Sequence, residues 1–161
     1  MLTAMKEFVV QQQVKTSKEL ESLKSFLQVN QLPADDLQLT NSLLLTYYNS
    51  NETLVGSGGL EFYGDRALLR SLAVSPELRG QQLGKQIVHD LLQQARTSNI
   101  REIYLLTLTA FYFFQKLGFS EVHRDQVPDE IKASSEFSYV CPSTARVMKL
   151  VVWISWMPNI C

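Results

Sequence analysis

The spacing of apolar positions switches between two periods along the chain, and each switch marks an element. Phe8, Val10 and Val14 fall on one side of a first strand over residues 7–13. From Ser17 the period lengthens: Leu20, Leu23, Phe26 and Leu27 recur at helical spacing, with Ser17 as the cap and Asn30 as the stop. Pro33 then sits in a turn or a short second helix over 32–37. From Ser42 the pattern is that of strands. Residues 43–48 are apolar, Asn49-Ser50-Asn51-Glu52 makes a hairpin turn, and 53–62 forms a strand carrying Gly56, Gly58 and Gly59. Tyr63-Gly64-Asp65 turns the chain again into a strand over 66–74. Three strands joined by short turns indicate an antiparallel meander.

Ser75-Pro76 ends the third of these strands. A loop with Arg79, Gly80 and Gly84 follows, and then Leu83, Ile87, Val88, Leu91, Leu92 and Ala95 mark a helix over 83–97. Residues 101–107 form a buried strand and 109–117 an aromatic-rich helix closed by Gly118. A strand over 119–124 follows, then a loop or helix start at Val127-Pro128-Asp129-Glu130-Ile131, and a last strand over 145–153. Alternating strands and helices place the chain in the α/β class, and 161 residues suit one domain over 1–161.

A strand, a glycine-bearing loop and a helix N-terminus make an anion site, because the first-turn N–H groups have no intrahelical acceptor and the helix dipole adds positive potential. The expectation is a phosphate or pyrophosphate at residues 79–84. The loop is neither a Walker loop nor a dinucleotide fingerprint.

Composition narrows the partners. Net charge is −1 with 45% hydrophobic residues, which argues against nucleic acid or an anionic membrane as partner. There is no run long enough to span a bilayer and no signal-peptide pattern, so the cytoplasm is expected. Two cysteines, Cys141 and Cys161, make neither a disulfide framework nor a metal quartet. The apolar tail over 151–158 is expected to complete the core or to form a homodimer interface.

Leu72-Ala73-Val74-Ser75-Pro76 followed by Arg79-Gly80-Gln81-Gln82-Leu83-Gly84 resembles the acetyl-CoA pyrophosphate loop of the GCN5-related N-acetyltransferases, although Gln82 stands where that pattern has its middle glycine. Ala110-Phe111-Tyr112-Phe113-Phe114-Gln115-Lys116-Leu117-Gly118-Phe119 is similar to a later motif of the same family. The resemblance implies a mixed, mostly antiparallel sheet of six to seven strands flanked by about four helices, with acetyl-CoA as cosubstrate and a small-molecule amine as acceptor. Within the family, Leu68 to Val74, Tyr104 to Thr107, Phe113 to Phe119 and Glu136 through Ala145 resemble the N-acetyltransferases of arsenic-resistance operons. The Phe113 to Phe119 stretch is also similar to the acetyltransferase domain of N-acetylglutamate synthase. Both imply an acceptor that is glutamate-like or another small amine, and a carboxylate-bearing one is expected.

By the same resemblance, the cofactor is held by Leu72, Ala73 and Val74 at the strand end, by Arg79, Gly80, Gln81, Gln82, Leu83, Gly84 and Lys85 in the loop, and by Phe113 and Phe114. A bulge near Leu72 would aim a backbone N–H at the thioester carbonyl and stabilise its developing charge. The family's glutamate and tyrosine positions fall on Leu68 and Phe114, so deprotonation comes from another residue or through water, and the acid is Tyr104, Tyr112 or Thr107 or is dispensable for a coenzyme A thiol. Glu61 is the substitute base, or else a solvent-facing strand glutamate; Thr107 is a candidate for proton transfer and acceptor contact. Arg70, between leucines, needs a partner: either an acceptor carboxylate or an internal one such as Glu61 or Asp65. Ser71 should alternate to the opposite face from Arg70. Direct attack on the thioester is expected, with no acyl-enzyme. The rival readings are an acyl-CoA-binding domain without catalysis and a protein N-acetyltransferase.

Overall fold

The strand that ends at Val74 is the middle of the sheet. The structure, a computed structural model, describes residues 9–80 and 82–152. Its strands are β1 (Val10–Gln13), β2 (Ser42–Tyr48), β3 (Leu54–Tyr63), β4 (Arg66–Val74), β5 (Glu102–Thr107), β6 (Ser120–Val122) and β7 (Arg146–Val151), in the spatial order β1-β2-β3-β4-β5-β7-β6. The helices are α1 (Ser17–Val29), α2 (Leu83–Thr97), α3 (Phe111–Lys116) and α4 (Asp129–Lys132), followed by a π-helical turn at Glu136–Val140. The predicted meander is β2-β3-β4, antiparallel throughout. Among the described residues the one parallel pair is β4–β5, with rungs only between Arg66–Leu68 and Glu102–Tyr104. Past Leu68 these two strands have no further rungs, and the sheet opens toward the end of β4 where ligands are expected.

Alternation along β2 feeds both faces of the sheet. Leu43, Leu45 and Tyr47 pack with Ile87, Val88, Leu91 and Ala95 of α2. Leu44 packs on the other face with Leu23 and Leu27 of α1 and with Ala34, Leu37 and Ala73. A third cluster seats Val127 and Ile131 on Leu68, Tyr104 and Val147. The close approach of α2 depends on Gly58, where a Cβ would stand 2.5 Å from Ile87 Cγ2 and 2.9 Å from Leu91 Cδ1.

Several boundaries differ from the sequence reading. Thr16, not Ser17, caps α1: its Oγ1 accepts from the Glu19 N–H at 3.2 Å while its hydroxyl donates to Glu19 Oε1 at 2.8 Å. Thr-x-x-Glu has the spacing for this reciprocal pair, which Ser17 with Glu21 lacks by one residue. Of the two readings offered for residues 32–37, the structure has the turn: Leu32 N–H bonds back to Leu27 and Leu37 N–H to Ala34. Helix α3 starts two residues later than predicted, after Thr107 Oγ1 has accepted the Ala110 N–H at 2.9 Å. Phe8, Gln81 and the tail beyond Val152 lie outside the described residues. Among the described residues no helix is long and apolar enough to cross a membrane.

Candidate functional site

The centre of the site is a bulge in β4. Across the β3–β4 ladder Gly59 faces Arg70 and Ser57 faces Ala73, so Gly58 alone opposes both Ser71 and Leu72. Ser71 takes a left-handed φ of 61°, and the buried Ser57 hydroxyl donates to the Ser71 carbonyl at 2.8 Å. A non-glycine residue held there costs on the order of 1 kcal/mol and leaves ladder groups of the bulge turned out of the sheet. The bulge also overrides the alternation expected from sequence: Arg70 and Ser71 border the same cavity. Two cavities meet at this point.

The first is a cleft of about 620 Å³ between the end of β4, the 78–84 loop and α3, and Leu72, Ala73 and Val74 form its wall. Its charged lining groups are Arg79, Lys85 and Lys116, with no carboxylate among the described lining residues. Gly80 has φ 81°, and Gln82, at the N-cap of α2, has φ 73° with no side-chain cap bond. That left-handed pair turns the loop into the N-terminus of a 15-residue helix, so the helix's positive end opens on the cleft. At Gly84 a Cβ would come 3.4 Å from Phe113 Cζ, so the bare backbone lets the ring close over the loop. The Arg79 side chain lies over the strand end, its Nε donating to the Val74 carbonyl at 3.2 Å.

Most of the residues assigned to the cofactor from sequence converge here. Leu83 instead packs into the core beside α2's other apolar positions. Phe114 is likewise corrected: it is buried, stacks edge-on against Phe119 at 5.5 Å, and borders the second cavity. Adjacent helical residues point about 100° apart, so Phe113 and Phe114 cannot both face one cleft. Lys116 was missed by the sequence reading; its signal is the i, i+3 spacing from Phe113, which puts both on one face of α3.

The second cavity, of about 580 Å³, lies in the gap between β4 and β5, and Leu32 and Pro33 form part of its wall. Ser71, Leu72, Thr107, Phe114, Glu136 and Cys141 border it. Arg70 borders it too, but its guanidinium is already engaged. Nη1 and Nη2 grip the Asp36 carboxylate at 2.5 and 2.7 Å, Nη1 also donates to Glu61 Oε1 at 2.6 Å, and the side chain is 1% exposed. The bidentate partner of Arg70 is therefore Asp36, which the sequence reading did not consider, with Glu61 second. Burial opposes charge on both partners, yet the pairing prevails: Asp36 sits below its usual range and Arg70 is held protonated.

This corrects the role given to Glu61. Both its oxygens are occupied, Oε1 by Arg70 and Oε2 by the Tyr63 hydroxyl at 2.7 Å, and it lines a separate pocket of about 400 Å³ with Tyr63 and Ser134. Thr107 is in place at the end of β5, its oxygen accepting the Ala110 N–H and its hydroxyl hydrogen left to donate. Tyr104 is buried in the third core cluster and Tyr112 is exposed, so neither borders the cavity. His89 and His123 are exposed.

Glu136 was missed as a site residue. It is 7% exposed, and its Oε2 has no hydrogen-bond partner. Burial pushes its carboxyl up to about 7 against the pull of Arg70, with the Cys141 thiol donating to it. The Cys141 thiol is itself pushed up to about 12 by burial and by Glu136, so it stays an S–H donor and no nucleophile at neutral pH.

A family model described as Acetyltransferase (GNAT) family matches residues 11–119. An amino-acid acetyltransferase of Mycobacterium tuberculosis is 34% identical over 79 residues, 48% of this chain and 45% of that relative. The chain thus spans about half the length or less of the curated relatives it matches. Among solved structures, N-acetylglutamate synthase from Neisseria gonorrhoeae, complexed with coenzyme A and N-acetyl-glutamate, superposes with a TM-score of 0.73 at 15% identity, covering 91% of this chain and 35% of that one. The Rv2747 protein of Mycobacterium tuberculosis, in complex with CoA and NLQ, gives 0.72 at 24% identity over 89% of this chain and 99% of that one.

Proposed function

The chain belongs to the acetyltransferase (GNAT) family, and on that premise we propose that it transfers an acetyl group from acetyl-CoA to the primary amine of a small molecule. The observation that carries the reading is the Ser71–Leu72 bulge, set where a cation-lined cleft and a second cavity meet. Acetyl-CoA supplies the activated thioester. Arg79, Lys85, Lys116 and the N-terminus of α2 neutralise its phosphates, Leu72 to Val74 line the path of its arm, and Phe113 closes over the loop. The bulged backbone at Leu72 aims a fixed N–H at the reacting carbonyl, a contact of the kind that contributes roughly 3 kcal/mol in such sites. The un-ionised Cys141 fits direct attack without an acyl-enzyme.

For the acceptor we infer an amino acid or a similar small amine. Relatives named amino-acid acetyltransferase support this over a protein chain. A glutamate-like acceptor would find one Nη2 hydrogen of Arg70 left over from Asp36 and Glu61, beside the Ser71 and Thr107 hydroxyls. The test is thermal unfolding with and without acetyl-CoA, then free-thiol release across amino acids that include glutamate and its arsenic and phosphorus analogues. A raised midpoint with thiol release on one acceptor is the expected result. A raised midpoint without turnover on any amine would turn the reading to an acyl-CoA-binding domain, and no rise would overturn it.

A further inference from the structure

We propose that Glu136 is the base that takes the proton from the acceptor ammonium; the inference rests on the acetyl-transfer reading of the same cavity. The first ground is the orphaned oxygen. Buried carboxylate oxygens are normally matched, and leaving one unmatched is costly. Oε2 of Glu136 is left so, itself buried, in a residue that borders the same cavity as Ser71, Leu72 and Thr107. The second ground is charge. Three carboxylates, Asp36 from the loop before β2, Glu61 from β3 and Glu136 from the π turn, act on the single guanidinium of Arg70 from β4. Arg70 gives its short bonds to the first two, so the carboxylate facing the cavity lacks its cation. An incoming ammonium supplies one. The third ground is elimination: Glu61 has both oxygens occupied in another pocket, and both histidines are exposed.

The groups that act on Glu136 set its basicity. Burial raises it, Arg70 lowers it, Glu61 and Asp36 raise it, and the Cys141 S–H lowers it, leaving a carboxyl that titrates at about 7. A base is most effective when its pKa lies near the working pH. In the step, one N–H bond of the ammonium breaks and an O–H bond forms on Glu136. The freed nitrogen lone pair forms the C–N bond to the acetyl carbon as the C–S bond breaks. The second nitrogen proton leaves with the sulfur as free thiol, and Glu136 returns its proton to solvent, so the net release is one proton per acetyl transferred.

The experiment compares wild type, Glu136→Gln and Glu136→Asp by calorimetric acetyl-CoA binding and by thiol release with the amino-acid panel from pH 5.5 to 9. The expected result is unchanged acetyl-CoA affinity with a 10²- to 10⁴-fold loss of kcat/KM in Glu136→Gln at pH 7. The acid limb of the wild-type profile should vanish in Glu136→Gln and return, shifted, in Glu136→Asp. A Glu136→Gln enzyme within tenfold of wild type with the same profile would overturn the proposal. Should wild type bind acetyl-CoA yet acetylate nothing, the transferase reading fails, and a second readout still judges Glu136. The ¹³C resonance of its carboxyl is followed as methylammonium chloride is added. A saturable shift absent from Glu136→Gln supports an ammonium at this carboxylate, and no shift overturns it.

Discussion

The two cavities that meet at the β4 bulge are made of different materials. The cleft on the α2 side is made of backbone and of three cations, drawn from the 72–85 stretch and from α3. The cavity on the β5 side depends on side chains brought together from Asp36, Glu61, Arg70, Glu136 and Cys141, spread over more than a hundred residues of chain. The first binds by geometry that any side chain at most positions would leave intact. The second is a network in which each charge depends on the next, so its members carry both stability and chemistry. The difference predicts that substitutions in the first will alter affinity with little effect on folding, whereas those in the second will couple the two.

The largest effect should come from breaking the network. Asp36→Ala strands the Arg70 guanidinium, 1% exposed, with Glu61 as its remaining short partner. Removing one partner of a buried pair typically destabilises by about 3–5 kcal/mol. Urea unfolding should show that loss at pH 7. It should shrink as pH falls through the depressed Asp36 titration, because the stabilisation by Asp36 is present above its unfolded pKa and fades below. A loss under 1 kcal/mol would mean that the guanidinium is sustained from elsewhere.

Glu136 gives the opposite sign. Its folded pKa, about 7, lies above the ordinary 4.5, so keeping it neutral favours the fold at low pH, and that advantage is lost as pH rises through 7. Glu136→Gln should therefore match wild type near pH 5 and exceed it at pH 8, by on the order of 1–3 kcal/mol. Midpoints of thermal unfolding at the two pH values would check this. A variant less stable at pH 8 than at pH 5 relative to wild type would contradict a buried, poorly matched carboxylate.

How far sequence could reach follows from the same contrast. The meander, α2 at 83–97 and the turn over 79–84 rest on local patterns: period-2 strands, Pro76 after Ser75, glycine at 80 and 84. The loop could be read because a turn and a helix start are short-range events. Arg70 could be flagged as needing a partner, but Asp36, 34 residues upstream in a segment without regular structure, gave no periodic signal. Glu136 begins a π turn, whose i to i+5 spacing matches neither of the apolar periods used to find elements. A bulge near Leu72 is expected from the family resemblance alone; serine is an ordinary residue, so nothing local marks Ser71 as its left-handed member, and only the β3–β4 register locates the extra residue.

Smaller effects should mark the cleft. Lys116→Ala removes one of three cations that face no carboxylate in the lining, on the exposed side of α3. Acetyl-CoA affinity should fall about tenfold, more steeply at low salt than at high, while the unfolding midpoint without ligand stays within about 1 °C. Equal loss at all salt concentrations would place Lys116 away from the phosphates.

The smallest and most pointed test concerns Gln82. It stands at the N-cap of α2 with φ 73°, a conformation that glycine adopts freely and a residue with a Cβ does not. The strain is on the order of 1 kcal/mol, and no cap bond from the Gln82 side chain offsets it. Gln82→Gly therefore relieves strain in the folded loop but adds freedom to the unfolded chain, and the two terms nearly cancel in global stability. They do not cancel in binding, because both ends of that comparison are folded. Without the side chain, the loop's N–H groups can approach a pyrophosphate more closely, and acetyl-CoA affinity measured by calorimetry should rise two- to fivefold. A fall instead would mean that the glutamine amide itself holds the ligand, and that the cleft borrows from side chains as the neighbouring cavity does.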